Sequence, residues 1–206
     1  MRVLVTAGPT REYLDAVRFL SNASSGRMGF ACAAAAARAG HEVTLVTGPV
    51  TLPDPPGVRT IRVVSAGDMH RAAMKAYPPS DAVIATAAVG DYRPAERFAG
   101  KLKKKTGALT LRLVRTRDIL REMGAKKGKR VLVGFALEVE NAVPQALLKY
   151  REKNLDYIVL NTPRSFAAET MDCRIYKDGD LVKRFKGATK DAVARWIVSV
   201  IPPGGA

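Results

Sequence analysis

The sequence predicts an α/β protein built on a doubly wound, mostly parallel sheet, with helices on both faces and a small added β-hairpin. Short β-branched apolar runs recur along the chain, which is typical of buried parallel strands. Segments with helical spacing of apolar residues lie between these runs. Near the C-terminus, Asp178-Gly179 is a strong signal for a hairpin turn. Together these patterns indicate a Rossmann-like sheet, in which ligands bind beyond the carboxyl ends of the strands.

The first strand is predicted at residues 2–6, and Gly8-Pro9 ends it. A polar stretch follows, before Ser24, Ser25 and Gly26 lead into a helix over residues 30–39. A Ser/Gly-rich turn that enters a helix presents free backbone amides and the positive end of the helix dipole, which attract phosphate. An ordinary capped helix after a loop explains the same residues equally well. The glycines at positions 8, 26 and 29 are too widely spaced for the G-x-G-x-x-G fingerprint of dinucleotide-binding folds.

The middle of the chain continues the alternation of strands and helices. Strands are predicted at residues 41–47, 60–64 and 81–89, and a helix capped by Ser65 runs through Ala76. Asp91 and Arg93 follow the end of the third of these strands, so they fall where a ligand would bind. A turn-capping role explains Asp91 as well. Residues 101–105 (KLKKK) then carry the densest positive charge, from which one lysine could reach a polyphosphate.

The last hundred residues complete the predicted sheet. Further strands are predicted at residues 109–114, 130–137 and 157–160, helices at 118–124, 142–153 and 190–201, a mobile loop at 165–172 and a hairpin at 174–185. Lys149 and Lys153 are four residues apart and share one face of their helix. Phe135 could stack on a base, although a core position is the usual role of a strand phenylalanine.

Composition limits the classes of function. The 206 residues suit one domain over residues 1–206, and 34 Lys+Arg against 19 Asp+Glu give a net charge of +15, which favours acidic partners. Cys32 and Cys173 have no C-x-x-C or zinc spacing and are predicted to be reduced structural thiols. Only two histidines are present, which leaves little material for a Ser-His-Asp triad. Without a signal peptide or an apolar span, the protein is expected in the cytoplasm.

Six short motifs follow one another along the chain. They lie at residues 5–12 (VTAGPTRE), 15–18 (DAVR), 21–29 (SNASSGRMG), 87–93 (AAVGDYR), 101–104 (KLKK) and 133–138 (VGFALE). In this order they resemble the motifs of the phosphopantothenoylcysteine synthetase family, the ligase half of a bifunctional bacterial coenzyme A biosynthesis protein. The resemblance covers essentially the whole chain. It implies that the carboxylate of 4'-phosphopantothenate attacks the α-phosphate of CTP to give an acyl-cytidylate, from which the amine of cysteine displaces CMP.

The resemblance also implies roles for individual residues. Asn22 matches the asparagine that holds the acyl-cytidylate for the second step, Lys101 matches the lysine tied to forming it, and Arg18 is expected to orient phosphopantothenate or the Asn22 loop. The expected nucleotide contacts are Ala85, Thr86, Ala87, Asp91, Lys101, Arg117, Asp118, Ile119, Leu120, Phe135, Lys149 and Lys153, with Ser24, Ser25 and Gly26 as a substrate or phosphate loop. Two residues depart from the family pattern, since Arg117 replaces a usual proline and Gly90 a usual alanine.

Expected cofactors and partners follow from the same resemblance. Mg²⁺ is expected to accompany CTP, no metal ligand is named by the sequence, and no flavin is expected because the flavin-dependent decarboxylase half is absent. A homodimer is expected, formed through added strands at residues 174–185 or 109–114. A separate phosphopantothenoylcysteine decarboxylase is a candidate partner, whereas no nucleic-acid or membrane partner is expected.

Two other functional classes fit parts of the sequence. A non-catalytic basic module that binds nucleotides or nucleic acid would explain the charge, but the aromatic residues are not interleaved with basic ones on a β platform. A nicotinamide-dependent reductase would explain the fold, but Thr47-Gly48 stands where such enzymes carry an acidic residue after the second strand. The ligase is therefore the preferred hypothesis.

Overall fold

The computed structural model describes residues 1–104, 106–161 and 170–202. In chain order the elements are β1 (Arg2–Ala7), β2 (Arg11–Tyr13), β3 (Phe19–Ser21), α1 (Arg27–Arg38), β4 (Glu42–Thr47), β5 (Val58–Arg62), α2 (Ala66–Ala76), β6 (Ala82–Ala85), β7 (Tyr92–Pro94), β8 (Leu113–Arg115), α3 (Ile119–Ala125), β9 (Val131–Leu137), α4 (Ala142–Glu152), β10 (Tyr157–Asn161), β11 (Thr170–Lys177), β12 (Asp180–Thr189) and α5 (Lys190–Ser199). Strands and helices alternate through most of the chain, as the apolar pattern predicts.

Eight of the strands form one sheet in the order β12-β11-β10-β9-β6-β1-β4-β5. The six strands from β10 to β5 are parallel, and β11 and β12 extend the sheet in antiparallel fashion. The chain starts in the middle at β1, moves outward through β4 and β5, and then returns to β6 on the other side of β1. This reversal of direction is the topological switch point of a doubly wound sheet. The predicted Rossmann-like fold is confirmed.

Helices cover both faces of this sheet. Helices α1 and α5 pack on a core that includes Val3, Val5 and Ile197, while α2, α3 and α4 cover the opposite face around Leu4 and Met69. Because Leu4 alternates with Val3 and Val5, β1 is buried on both faces, as central parallel strands are. Among the residues that the structure describes, no helix has the length and apolarity of a membrane span.

Both cysteines lie in the interior as free thiols. Burial raises the pKa of Cys32, because a thiolate there would lose its solvation. Burial also raises the pKa of Cys173, to about 12. Thiols of this kind are unreactive at neutral pH, which agrees with the predicted structural role.

The C-terminal hairpin is larger than predicted. Its strands extend from Thr170 to Thr189, beyond the predicted residues 174–185, and they belong to the main sheet instead of forming a separate addition. The reason is that β10 has a second edge, whose residues 158–161 pair with residues 173–176. Of the loop predicted at residues 165–172, the last three residues are part of β11, and residues 165–169 lie outside the described residues.

Two small two-stranded sheets were not predicted, although β8 overlaps the strand predicted at residues 109–114. Strands β2 and β3 form a hairpin between Gly8 and Gly26, and β7 pairs with β8 after the end of β6. The strand predicted at residues 109–114 is correspondingly wrong, since only Leu113–Arg115 is a strand and it lies outside the main sheet. The strand predicted at residues 81–89 is also too long, because β6 ends at Ala85. Strands of three residues have too few side chains to show an alternating pattern.

Helix α1 begins at Arg27, earlier than the predicted start at residue 30, and its first turn packs against the strands through Gly29. A Cβ atom on Gly29 would overlap the Ala7 side chain and the Thr86 hydroxyl, which belong to the ends of β1 and β6. Gly26 caps the helix with a φ of 75°, and a Cβ atom there would lie 3.4 Å from the Gly8 Cα. Gly8, Gly26 and Gly29 are therefore close in space, although their spacing in the sequence does not match the dinucleotide fingerprint. Together they allow a tight turn, a close approach of two backbone segments and close helix–strand packing, as the glycines of that fingerprint do.

This packing predicts that Gly29→Ala lowers the free energy of unfolding by about 1–3 kcal/mol, because the added methyl group must displace the ends of β1 and β6. Urea denaturation followed by circular dichroism measures the change. The matched control is Gly67→Ala in the first turn of α2, where the new Cβ would lie 3.6 Å from its nearest neighbour. The control should be neutral or stabilising. Equal stability of the two variants would contradict the close packing of α1.

Candidate functional site

A cavity of about 740 Å³ lies at the carboxyl ends of β1 and β6, at the switch point of the sheet. Helices α1, α3, α4 and α5 and the segments that connect strands to helices contribute its walls, in addition to the strand ends. The predicted site residues that line it are Asn22, Ser24, Ser25, Gly26, Ala85, Thr86, Ala87, Asp91, Arg117, Asp118, Ile119, Leu120, Phe135, Lys149 and Lys153. The fold thus brings together residues from five separate parts of the sequence.

The N-terminus of α1 forms one wall of the cavity. Gly26, Arg27, Met28 and Gly29 all line it, and the helix has neither a side-chain cap nor an acidic residue in its first turn. The first backbone N–H groups of a helix have no partner within the helix, and they lie at the positive end of its dipole. Ser24 stabilises the turn, since its hydroxyl accepts a hydrogen bond from the Gly26 N–H at 3.3 Å. This wall is suited to binding an anion such as a phosphate group.

The side chain of Asn22 is hydrogen-bonded to the segment that follows β6. Its Nδ2 atom donates to the carbonyl oxygens of Ala88 at 3.0 Å and Val89 at 3.3 Å. Because carbonyl groups only accept hydrogen bonds, these contacts fix which end of the amide is the nitrogen. The Oδ1 atom is thereby left as the acceptor that Asn22 can offer to a ligand.

A cationic wall faces this region from α3 and α4. Lys149 Nζ lies 2.6 Å from Glu138 Oε1, and Lys153 Nζ lies 2.9 Å from Asp118 Oδ2. Asp118 also caps α3 by accepting a hydrogen bond from the Arg121 N–H at 3.0 Å. Burial alone would raise the pKa of Asp118, but the hydrogen bonds from Lys153 and from the Arg121 backbone lower it. The two lysines are therefore paired with carboxylates.

The segment that carries Asp91 is fixed through its neighbour, Gly90. The Gly90 N–H donates to the Thr10 hydroxyl at 2.9 Å, and its carbonyl accepts from the Thr116 hydroxyl at 2.6 Å. A Cβ atom on Gly90 would meet its nearest neighbour, Glu12 Cγ, at 3.4 Å, which is an ordinary contact. The alanine that the motif resemblance leads one to expect here would therefore fit without a steric clash.

Phe135 is partly buried in β9, where it packs on the core and also lines the cavity. The core role and the base-stacking role predicted for it are thus compatible in space. Stacking itself stays a prediction.

Two predicted site residues do not line the cavity. Lys101 lies in an exposed segment, and Arg18 is turned to Asp15 and to the Leu102 carbonyl. Eight polar lining residues were missed, namely Thr6, Arg27, Tyr92, Arg115, Thr116, Arg121, Asn161 and Lys190. Most of these flank predicted site residues, so proximity in sequence was an available signal. Lys190 has no such signal, because only the packing of α5 on α1 brings it near the cavity.

Helix α3 is anchored behind the cavity by Glu122. His70 Nε2 lies 2.7 Å from Glu122 Oε2, and Lys126 Nζ donates to Glu122 Oε1 at 2.9 Å. The hydrogen bond with His70 and that from Lys126 together lower the pKa of Glu122 from 4.5 to about 2. This link joins α2 to the helix that supplies Ile119 and Leu120 to the cavity.

The comparisons with known proteins agree on one relationship. Residues 1–203 match the family model described as the DNA/pantothenate metabolism flavoprotein C-terminal domain. The chain is 48% identical over 183 residues to the coenzyme A biosynthesis bifunctional protein CoaBC of Bacillus subtilis (strain 168), covering 86% of this chain and 45% of that protein. A crystal structure of the C-terminal domain of a CoaBC protein superposes with a TM-score of 0.83 at 41% identity, covering 96% of this chain and 92% of that one.

A second relative carries a different name. A protein of an unknown prokaryotic organism, named cysteine/cysteine sulfinic acid decarboxylase, is 43% identical over 206 residues, which is 97% of this chain and 57% of that protein. The chain therefore spans about half the length of these two relatives. Each name describes the activity of a longer protein. Neither name assigns that activity to the part of the protein that matches this chain.

The low pKa of Glu122 predicts a pH-dependent contribution to stability. A carboxylate whose pKa falls on folding stabilises the protein above its unfolded-state pKa, and that contribution is lost as the pH falls from about 4.5 to about 2. Glu122→Gln should therefore be less stable than the wild type at pH 7, and the difference should shrink through this window. Urea denaturation at several pH values measures it; a difference that does not change with pH would contradict the charged contact with His70 and Lys126.

Proposed function

The chain belongs to the family of the DNA/pantothenate metabolism flavoprotein C-terminal domain, and from this we propose that it is a cytoplasmic ligase that joins 4'-phosphopantothenate to L-cysteine. The six sequence motifs and the similarity to CoaBC proteins support this assignment. The observation that carries it is the cavity at the switch point, where a helix N-terminus, a cationic wall and Asn22 lie together.

The proposed reaction has two steps. An oxygen of the phosphopantothenate carboxylate forms a bond to the α-phosphorus of CTP, and pyrophosphate leaves with the electrons of the broken P–O bond. The neutral amine of cysteine then attacks the acyl carbon, the bond between that carbon and the phosphate oxygen breaks so that CMP leaves, and the nitrogen loses one proton to give the amide. The oxygen of a carboxylate is a poor leaving group. In the acyl-cytidylate the leaving group is CMP, which is a good one. Positioning and charge neutralisation are the contributions required of the protein.

The phosphate groups of the nucleotide have two complementary surfaces in the cavity. The α1 N-terminus offers backbone N–H groups, and Lys149 and Lys153 offer positive charge. In this proposal the triphosphate takes over the lysine contacts that Glu138 and Asp118 now make. Arg117 and Arg121 add positive charge on the same side of the cavity. The base lies along the strand end formed by residues 85–87 and against Phe135.

In this proposal Lys101 acts in the first step and Asn22 in the second. Asn22, with its Nδ2 bound to two backbone carbonyls, presents Oδ1 to the acyl-cytidylate or to the incoming amine. Lys101 assists the first step by neutralising charge that develops on the phosphates. In this proposal Arg18 orients phosphopantothenate or the loop that carries Asn22.

Mg²⁺ is the ion that this chemistry implies. Among the described residues, no group of three or more His, Cys, Asp or Glu side chains could hold a metal ion. Mg²⁺ usually binds through substrate phosphates and water with only one or two carboxylates, a role that Asp91 and Asp118 fit because both line the cavity. When bound, the ion would neutralise charge on the phosphates. Flavin has no part in the proposed reaction.

The test is a pyrophosphate-release assay with CTP, 4'-phosphopantothenate, Mg²⁺ and cysteine, with ATP in place of CTP as the specificity arm. Lys101→Gln should slow formation of the acyl-cytidylate by about 10²–10³-fold, because one charge-stabilising group is lost. Asn22→Asp should let the intermediate accumulate, because a carboxylate placed against two carbonyl oxygens cannot hold the same position. Quenched-flow analysis of both half-reactions separates the two effects.

Lys103→Gln is the matched control for the lysine variant, since it removes another charge of the same run. Both half-reactions should remain close to wild type in this control. Absence of pyrophosphate release with every nucleotide tested would overturn the ligase assignment. Equal loss of both half-reactions in the two site variants would overturn only the division of roles.

We also propose that the protein forms a homodimer, for which two exposed strands offer interfaces. The edge strand β12 exposes Leu181 and Val182, and the β7–β8 sheet exposes Leu113. Sedimentation velocity should show a dimer at micromolar concentration. Leu181→Arg and Leu113→Arg test the two segments separately, and a monomeric wild type would refute the proposal.

One further partner belongs to the proposal. We propose that a phosphopantothenoylcysteine decarboxylase consumes the product of the ligase. Residues 1–206 form one ligase domain in this proposal, which includes neither a nucleic acid nor a membrane as a partner.

A further inference from the structure

Helix α4 carries cations that line the cavity, but apolar packing holds it less firmly than the other long helices. Ala146 is its one buried residue, whereas α1 has six and α2 and α5 have four each, and all four helices lie within the described part of the chain. Burial of an apolar face supplies most of the stability of a helix in a protein. The position of α4 therefore depends more on polar contacts than the positions of the other three helices do.

Two of these polar contacts face the cavity. Lys149 Nζ is paired with Glu138, just beyond β9, and Lys153 Nζ is paired with Asp118 at the start of α3. In the proposed complex the phosphate groups of the nucleotide take over both lysines. The two ion pairs are then lost, so α4 needs contacts away from the cavity to keep its place.

One contact of this kind joins Tyr150 of α4 to the turn of the C-terminal hairpin. The Tyr150 hydroxyl donates to Asp178 Oδ1 at 3.0 Å and accepts from the Asp178 N–H, also at 3.0 Å. Burial raises the pKa of Tyr150, so the hydroxyl stays protonated at neutral pH and can donate. Neither residue lines the cavity. A ligand in the cavity can therefore displace both ion pairs and leave this contact intact.

The hairpin gives this contact a fixed base. Strand β11 pairs with β10 through residues 173–176, and the Lys177 ammonium lies 5.5 Å from the centroid of the Tyr157 ring, next to the turn. Asp178 itself has a φ of 53°, a left-handed conformation that aspartate adopts more readily than most residues. The turn is thus held by the main sheet, and it presents both a carboxylate and an N–H to the same hydroxyl.

The hydroxyl of Tyr150 is not needed for packing. The side chain is partly buried against the core beneath α4, and a phenylalanine would bury the same ring. The hydroxyl therefore contributes its two hydrogen bonds. Lys149 precedes Tyr150 in the sequence and Lys153 follows it within one helical turn, so a shift of the helix at Tyr150 would move both ammonium groups.

We propose that Tyr150 is a positioning residue for the nucleotide, because its two hydrogen bonds to Asp178 fix the end of α4 from which Lys149 and Lys153 reach the phosphate groups. This inference rests on the proposed function, in which those lysines bind the triphosphate. It gives the C-terminal hairpin a part in nucleotide binding, which the hairpin exerts through α4.

The first test is calorimetric measurement of nucleotide affinity in Tyr150→Phe, which keeps the ring and removes both hydrogen bonds. The Kd of CTP should rise about 3- to 10-fold, the range expected when such hydrogen bonds are lost. The Kd of CMP should rise less, because a single phosphate group interacts more weakly with the two lysines than three phosphate groups do. An unchanged Kd of CTP, or an equal rise for both nucleotides, would overturn the proposal.

Two variants control for other effects of the substitution. Tyr157→Phe removes a hydroxyl from a tyrosine whose ring packs edge-on against Trp196 on the other face of the sheet, and it should leave the Kd of CTP unchanged. Asp178→Asn removes a charge but keeps Oδ1, the N–H and the tolerance of a positive φ, so it should bind CTP as the wild type does. A loss in either control as large as that in Tyr150→Phe would overturn the proposal.

A double-mutant cycle tests whether the effect passes through the lysines. In a Lys149→Gln background, Tyr150→Phe should weaken CTP binding by less than it does in the wild-type background, since the ammonium group that it positions is no longer present. Additive losses would show that Tyr150 does not act through Lys149, and they would contradict the inference.

Hydrogen–deuterium exchange separates this inference from the proposed function. Without any nucleotide, the amides of residues 147–152 should exchange faster in Tyr150→Phe than in the wild type, because the hairpin no longer holds the end of α4. Unchanged exchange there would overturn the positioning role. A wild type that does not bind CTP would instead count against the proposed function, while the exchange result would still decide whether the hairpin holds α4.

Discussion

The close packing of α1 on the strand ends is the constraint on which the rest of the site depends. With no side chain at Gly29, the first turn of the helix can lie directly on Ala7 and Thr86. That contact brings the helix N-terminus to the switch point, where the carboxyl ends of β1 and β6 separate. It also sets Gly26 against Gly8, so that the polar segment between them must leave the sheet as a hairpin. The position of the α1 N-terminus in the cavity wall and the course of the loop that carries Asn22 both follow from this one packing contact.

The lysine side chains at the cavity are arranged in ion pairs. The chain has a net charge of +15, yet Lys149 and Lys153 each contact a carboxylate. These carboxylates keep the two ammonium groups ordered and facing the cavity. A polyphosphate that replaces them gains positioned cations instead of having to order flexible side chains, which lowers the entropic cost of binding. Organisation of the basic residues, more than their number, thus suits the cavity to a nucleotide.

Much of the fold could be predicted from the sequence, because the central strands are apolar enough to be recognised individually. About half of the lining residues were predicted, and motif resemblance predicted them, because a motif identifies individual residues whereas periodicity does not. The small sheets β2–β3 and β7–β8 could not be predicted, because strands of three residues depend on tertiary pairing. The outward position of Arg18 and the approach of Lys190 also depend on contacts between distant segments. Such contacts leave no local pattern in the sequence.

The meeting of Gly8 and Gly26 has a consequence for how this architecture can vary. The chain leaves the sheet at one glycine and returns at the other almost to the same point, so residues 9–25 form an insertion whose two ends nearly coincide. Since the entropic cost of closing a loop grows only slowly with its length, such an insertion can be lengthened or exchanged while the sheet and α1 keep their geometry. The sheet with α1 and the loop at residues 9–25 are, in this sense, separable modules.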